Sequence, residues 1–198
     1  MNALTAPIRL AGPTPHLPLT VKNIVVSVKV ADGFDLDDLA RVIPGADYNK
    51  QRFPGLIYRR TSPKFAALVF ASGKVILVGV QHPDAIAPAL ATLLEALRTV
   101  GAALAPDPQP RVVNLVASGS LGAGVSLLKI AFALDLENVE YEPEVFPGLV
   151  YRSRVGGVAL VFRSGAMIIT GTLSIDQAQV VSDEVWQLID TAGAWMLT

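Results

Sequence analysis

The sequence predicts an α+β fold in which two tandem repeats build one curved antiparallel sheet with helices on a single face. Three pairs of segments carry this reading. Residues 53–59 read FPGLIYR and residues 146–152 read FPGLVYR, with six of seven letters shared. KNIVVSV (22–28) is echoed by VNLVASG (113–119), which places Asn23 against Asn114. ALVFASGKVILVG (67–79) is echoed by ALVFRSGAMIITG (159–171), which places Phe70 against Phe162. The order is the same and the offsets run from 91 to 93 residues. The chain is therefore a duplication of a unit far longer than a solenoid repeat, large enough to hold several strands and helices.

Each half is expected to contain the same elements in the same order. VKNIVVSVKV (21–30) is β-rich and alternating, hence a strand. GFDLDDLARVI (33–43) predicts a short helix with Asp35 as N-cap and its leucines on one face. YNKQRFPGLIYRR, KFAALVFAS and GKVILVGV predict three β segments of an antiparallel meander, divided at the Ser62-Pro63 and Ser72-Gly73 turn signals. Residues 83–101 predict a helix, with Pro83 near its start and Gly101 at its stop. APDPQP (105–110) links the halves. The second half predicts a strand over 111–119, a helix over about 123–133, strands through 172 and a helix over about 175–191. Residues 1–18 are proline-dotted and lack the apolar region of a signal peptide, so a flexible leader is expected there. The two units are then residues 19–104 and 111–198.

Composition excludes several classes of function. Of the 198 residues 52% are hydrophobic and 17% charged, which suits a globular chain with a sizeable core. The absence of cysteine excludes disulfides and thiolate metal sites. His16 and His82 have no ligand-like spacing, so neither a metal nor another cofactor is expected. SGSLGAG (118–124) is glycine-rich but lacks the lysine and spacing of a phosphate loop, and no nucleophile motif occurs. No apolar run has membrane-spanning length. The expectation is a non-enzyme without a small-molecule substrate or a membrane partner.

Side-chain alternation then points to a binding surface. In KVILVGV, Val75 and Leu77 point one way while Ile76 and Val78 point the other, and both sets are apolar. A sheet with helices on one face should be polar on the other. A free apolar face is a candidate site of interaction.

These motifs are similar to those of the TATA-box-binding protein family: the N-[IL]-V strand, the FPG-x-x-YR phrase and the L-x-F-x-SG strand pair, each present in both halves. The resemblance covers about residues 17–192, and FPG in both halves looks like the archaeal form. It implies a pseudo-two-fold, ten-stranded saddle with helices on the convex face and a concave underside that sits in the DNA minor groove. It also implies a general transcription initiation factor that binds and bends A·T-rich promoter DNA and recruits a IIB-type factor. Such a protein acts inside the cell, in the cytoplasm or nucleoid of a prokaryote, or in a nucleus if the source is eukaryotic or viral.

The resemblance assigns roles by position. Phe53 with Phe70, and Phe146 with Phe162, match the wedges that enter base steps, with Pro54 and Pro147 completing each phrase. An aromatic wedge re-covers the ring faces that an opened step exposes. On the residues alone these could be ordinary core phenylalanines, yet Phe70 shares a face with Leu68 and leaves the core if Val69 enters it. Asn23 and Asn114 match the central pair, whose amide NH₂ groups suit a groove floor that offers only acceptors at A·T pairs. Val25, Val116, Leu68, Leu160, Ile76, Val78, Ile168 and Thr170 match the floor-packing set. Arg59, Arg152 and Lys74 match phosphate contacts, although a rim charge in water would read the same. Glu142 and Glu144, in EPEVFPG, match residues that meet the IIB-type factor.

The chain also departs from the family. The second SGK lysine is Ala166, the threonine expected at Val78 has lost its hydroxyl, and the basic residue after each TG position is Gln81 or Leu173. Helix 83–101 offers only Arg98 as a cation. Phosphate neutralisation supplies most non-specific affinity, so weak or partner-dependent DNA binding is expected. The alternative is a diverged saddle that serves as a protein-interaction or regulatory module, with DNA binding weakened or lost.

Overall fold

The computed structural model describes residues 17–133 and 137–196. All but the last two residues of the expected leader lie outside that range. In chain order the first half comprises β1 (Thr20–Lys29), α1 (Leu36–Val42), β2 (Ala46–Asp47), β3 (Leu56–Thr61), β4 (Lys64–Val69), β5 (Lys74–Val80) and α2 (Ile86–Thr99), which a 3₁₀ turn at Pro83–Ala85 introduces. The second half comprises β6 (Arg111–Ser120), α3 (Leu127–Ala133), β7 (Val139–Glu140), β8 (Leu149–Arg152), β9 (Val158–Val161), β10 (Ala166–Thr172) and α4 (Ile175–Thr191).

All ten strands join one antiparallel sheet in the order β2-β3-β4-β5-β1-β6-β10-β9-β8-β7. The order reads the same outward from its centre, where β1 pairs with β6. Ile24 lies opposite Leu115, Asn23 opposite Val116 and Val25 opposite Asn114. The duplicated Asn-x-Val segments therefore face each other across a local dyad. Gene duplication has become sheet symmetry.

Alternation sorts the two faces as expected. Val26, Val69, Val75, Leu77, Ala117, Val161 and Ile169 are buried, and their sequence neighbours are not. Helix α2 packs on β4 and β5, and α4 packs on β6, β9 and β10. Leu93 and Leu97 from α2, and Val181, Val185 and Ile189 from α4, complete the core. Tyr151 also faces this side and donates its phenol hydrogen to Glu184 Oε2 on α4 at 3.1 Å. Burial, reinforced by the Glu184 carboxylate, pushes its pKa up to about 12. Asp35 caps α1 by accepting the Asp38 N–H, as expected, and Ser174 caps α4 by accepting the Gln177 N–H.

Two expectations need correction. The stretch 48–60 is not a single strand: β3 begins only at Leu56, and residues before it form a turn in which the Asn49 carbonyl accepts both the Arg52 and Phe53 N–H groups. Pro54 has no N–H for a ladder, so pairing cannot extend back through it. The edge is closed instead by the two-residue strand β2, too short for any periodicity to reveal. The second correction concerns α3, which starts at Leu127 and not near 123. Gly122 has φ 78°, and Val125 is held extended by a bridge to Trp195.

Candidate nucleic-acid interface

Opposite the helices, the sheet presents an uncovered face. Val25, Leu68, Ile76 and Val78 from the first half, and Val116, Leu160, Ile168 and Thr170 from the second, are half-buried or exposed there. This is the floor set that the motifs assign. Its side chains are the odd partners of buried ones on the same strands, so the face follows from strand alternation alone.

At each end of the face two phenylalanines meet. Phe53 and Phe70 pack edge to face with ring centroids 5.8 Å apart and planes at 61°, and Phe146 and Phe162 repeat this at 5.8 Å and 66°. All four rings are half-buried, and none belongs to the core cluster or to the half-buried residues packed on it. Pro54 and Pro147, beside them, are exposed. The glycine of each FPG phrase makes this seat possible. A Cβ at Gly55 would lie 2.8 Å from the Phe53 ring, and one at Gly148 would lie 2.7 Å from the Phe146 ring. Each ring rests on bare backbone. Sequence reasoning did not give Gly55 and Gly148 a role, although the repetition of FPG was the signal that could have done so.

At the centre, Asn23 and Asn114 are fixed by a contact that sequence could not show. The Gly79 N–H donates to Asn23 Oδ1 at 2.8 Å, and the Gly171 N–H donates to Asn114 Oδ1 at 2.8 Å. Both glycines have positive φ, 82° and 76°, beside register shifts in the β1–β5 and β10–β6 ladders. The irregularity releases an N–H from the ladder, and the asparagine oxygen accepts it. Because a backbone N–H can only donate, the oxygen end of each amide is the one turned inward. The NH₂ end is left as the donor on the open face. Two donors related by a dyad suit a surface made of acceptors.

The rim is less symmetric. Arg59 and Lys74 are exposed and form no ion pair among the described residues, whereas Arg152 Nη2 lies 3.3 Å from Glu140 Oε2. Lys74 sits opposite Lys29, while Ala166, its counterpart, sits opposite Ser120. The second half has thus lost two rim lysines, and the motif comparison revealed only one. Gln81 donates from its side chain to the Lys22 carbonyl at 3.4 Å, and the Leu173 N–H donates to Gln177 Oε1. Neither position carries a charge.

Glu142 and Glu144 are exposed on the turn before Phe146, where the Glu142 carbonyl accepts the Val145 and Phe146 N–H groups. Val145 is 81% exposed beside them. Tyr141, from the same turn, lines a groove of about 570 Å³ with Leu128, Trp195 and Met196. Phe132, on the same helix as Leu128, is 84% exposed. Acidic and apolar groups therefore share this end of the molecule.

Comparison with known proteins agrees with this geometry. The family model described as transcription factor TFIID, or TATA-binding protein, matches twice, over residues 18–100 and 109–192. TATA-box-binding protein 2 of Haloferax volcanii is 40% identical over 185 residues, covering 93% of this chain and 98% of the relative. TATA-box-binding protein 1 of Methanosarcina acetivorans is 41% identical over 176 residues, covering 88% and 96%. The solved structure of Methanococcus jannaschii TBP superimposes with a TM-score of 0.78 at 36% identity, over 87% of this chain and 98% of that one. A double family match, long archaeal relatives near 40% identity and a superimposable solved structure place the chain in the TATA-box-binding protein family, in its archaeal form.

Proposed function

We propose that the chain is a general transcription initiation factor that binds A·T-rich promoter DNA through the open sheet face, in the minor groove, and bends it. The observation that carries this is the pair of dyad-related amides, Asn23 and Asn114, each with its oxygen tied by a glycine N–H and its NH₂ without a partner among the described residues. The groove floor at A·T pairs presents adenine N3 and thymine O2, both acceptors, and at G·C pairs adds the guanine amine. Two fixed donors and a close-packed apolar floor accept the first and reject the second. Phe53 with Phe70, and Phe146 with Phe162, would enter base steps at either end, unstacking them and bending the duplex away from the sheet. Arg59, Lys74 and Arg152 would hold phosphates and set position without reading sequence. No catalytic step enters this account, and the site of action is DNA inside the cell.

A IIB-type factor is the proposed protein partner, met by Glu142 and Glu144. Their exposure beside Val145 and the groove next to Tyr141 support a contact that combines charge with apolar area. The second reading, an interaction module with weakened DNA binding, is favoured by Ala166 and Ser120, which leave the second rim without lysines.

One titration separates the two readings. An A·T-rich duplex carrying a fluorophore pair at its ends, and a G·C-centred control, are titrated with and without a IIB-type factor. The proposal expects end-to-end distance to fall on the A·T-rich duplex alone, with tighter binding when the factor is present. No binding to either duplex under both conditions overturns it in favour of the interaction module.

A further inference from the structure

The two halves seat a tyrosine at the same place and surround it differently. Tyr58 on β3 and Tyr151 on β8 both point to the helix side of the sheet and are buried. Tyr58 packs edge to face on Phe65, with ring centroids 6.3 Å apart. Strand pairing puts Ala67 opposite Tyr58 and Ala159 opposite Tyr151, so the position of Phe65 falls to Gly157, which has no side chain. Other counterparts differ too. Gly45, Thr61 and Thr92 of the first half correspond to Asn138, Arg154 and Glu184 of the second. Thr92 donates its hydroxyl to the Pro88 carbonyl of its own helix. A buried tyrosine at this place therefore needs no charged company.

Around Tyr151 that company lines a hollow of about 300 Å³ between β8 and α4, at the small end of the range for ligand sites. Glu184, Leu188 and Thr191 line it from one face of α4, at i, i+4 and i+7. Asn138, Tyr151 and Arg154 line it from the sheet. Three of these polar groups are held in place. The Tyr151 hydroxyl donates to Glu184 Oε2 at 3.1 Å. Asn138 donates from its side-chain amide to the Arg152 carbonyl at 3.1 Å, and its own carbonyl accepts the Arg152 N–H at 2.9 Å. Arg154 is exposed and forms no ion pair among the described residues, with Glu184 or any other. Its guanidinium is still close enough to counter part of the upward push that burial and Glu184 exert on the Tyr151 pKa. One anion and one cation thus share a hollow without pairing.

We infer that this hollow binds a small zwitterion of the α-amino acid class, with its carboxylate on Arg154 and its ammonium on Glu184. A guanidinium offers a carboxylate two parallel N–H donors. A glutamate with one oxygen engaged by Tyr151 keeps the other for an ammonium. A ligand of one sign would satisfy one group and be repelled by the other, so the pair selects a molecule that carries both charges. Leu188 supplies an apolar wall for the ligand's side chain. Because the tyrosine, asparagine and glutamate are ordered beforehand, binding costs them little freedom. The site lies on the helix side of the sheet, away from the open face. It goes beyond the DNA-binding reading and stands or falls separately from it.

The test is NMR of the full chain with ring-labelled tyrosine, titrated with L-leucine at constant ionic strength. Two analogues of the same shape are titrated in parallel: 4-methylpentanoate, which lacks the ammonium, and 3-methylbutylamine, which lacks the carboxylate. Tyr151→Phe identifies the Tyr151 signal. L-leucine should shift that signal saturably while the Tyr58 signal stays still, and neither analogue should do so. Arg154→Gln and Glu184→Gln should each raise the dissociation constant by about tenfold or more, the loss expected for one charge-assisted hydrogen bond. Arg154 is exposed, so Arg154→Gln should melt as the unmodified protein does and keeps the test decisive if Glu184→Gln folds poorly. A saturable Tyr151 shift by either analogue as strong as that by L-leucine overturns the zwitterion. So does the absence of any saturable shift with L-leucine, or a dissociation constant that Arg154→Gln leaves unchanged. None of these outcomes alters DNA bending by the same preparation, which tests the proposed function alone.

Discussion

Laid over one another, the two halves agree in the wedges and central amides of the open face, and in the buried Leu56/Leu149, Tyr58/Tyr151 and Val69/Val161, and they differ most on their first helices and outer turns. The wedge pairs match to 5.8 Å in both, and each amide is tied by a glycine N–H at 2.8 Å. Away from that face, α1 carries Asp37 and Arg41 at the positions where α3 carries Leu128 and Phe132. Residues 19–104 hold ten Lys/Arg and seven Asp/Glu, and residues 111–198 hold five and nine, so the halves are near +3 and −4. A chain total of −1 hides this polarity. The lesson is that a nearly neutral net charge excludes little about nucleic-acid binding when the charge is divided between two ends. One end can meet phosphate while the other meets a protein.

The comparison is broken most severely at the glycine seats. Gly55→Ala and Gly148→Ala each push a methyl into the ring above, and the ring is the part free to move. Each should remove roughly one of the two kinks, so end-to-end energy transfer on a bent duplex should lie midway between free and fully bound. Loss of all bending from one substitution and none from the other would show that the wedges are not equivalent.

Next in size are the asparagines. Asn23→Ala and Asn114→Ala should each cost about 1–3 kcal/mol of discrimination between A·T and G·C centres. Their effects on folding should differ. The Asn23 contact is partly buried and the Asn114 contact is exposed, so an orphaned Gly79 N–H should cost about 1–3 kcal/mol while water replaces the acceptor at Gly171. Thermal melts of the two variants check this, and equal losses of Tm would remove the distinction.

The smallest effect is expected at the rim. Ala166→Lys restores one of the two lysines absent from the second half and should steepen the salt slope by about one unit for all duplexes alike. Tm should hardly change at this exposed strand end. An unchanged slope would mean that the second rim stays clear of phosphate.

Much of this was legible in the residues. Duplication, alternation and the Asp35 cap are local or repeated patterns, and the faces of Val69, Phe70, Val75 and Ile76 follow from a period of two. What stayed hidden depends on contacts between distant segments or on elements too short to have a period. The tie from Gly79 to Asn23 crosses 56 positions and needs a ladder irregularity. The Arg152–Glu140 pair needs β7, two residues long, to lie beside β8. Gly55 is legible as a repeated letter, but its reason is the ring above it. The stretch 48–55 contains strand-forming residues yet folds as a turn, because Pro54 ends the ladder and Asn49 offers one carbonyl to two donors.

The central claim is that the four rings act on DNA and not in the core. The double variant Phe53→Ala/Phe146→Ala tests it, with bending followed by end-to-end energy transfer and folding by thermal melt on one preparation. Each ring leans on one aromatic partner and on bare backbone, so its loss should cost about 1 kcal/mol per pair and lower Tm by only a few degrees. Bending of the A·T-rich duplex should disappear while residual affinity persists through the asparagines and the cations of the first half. A double variant that unfolds, or one that bends the duplex as the unmodified protein does, would contradict the account.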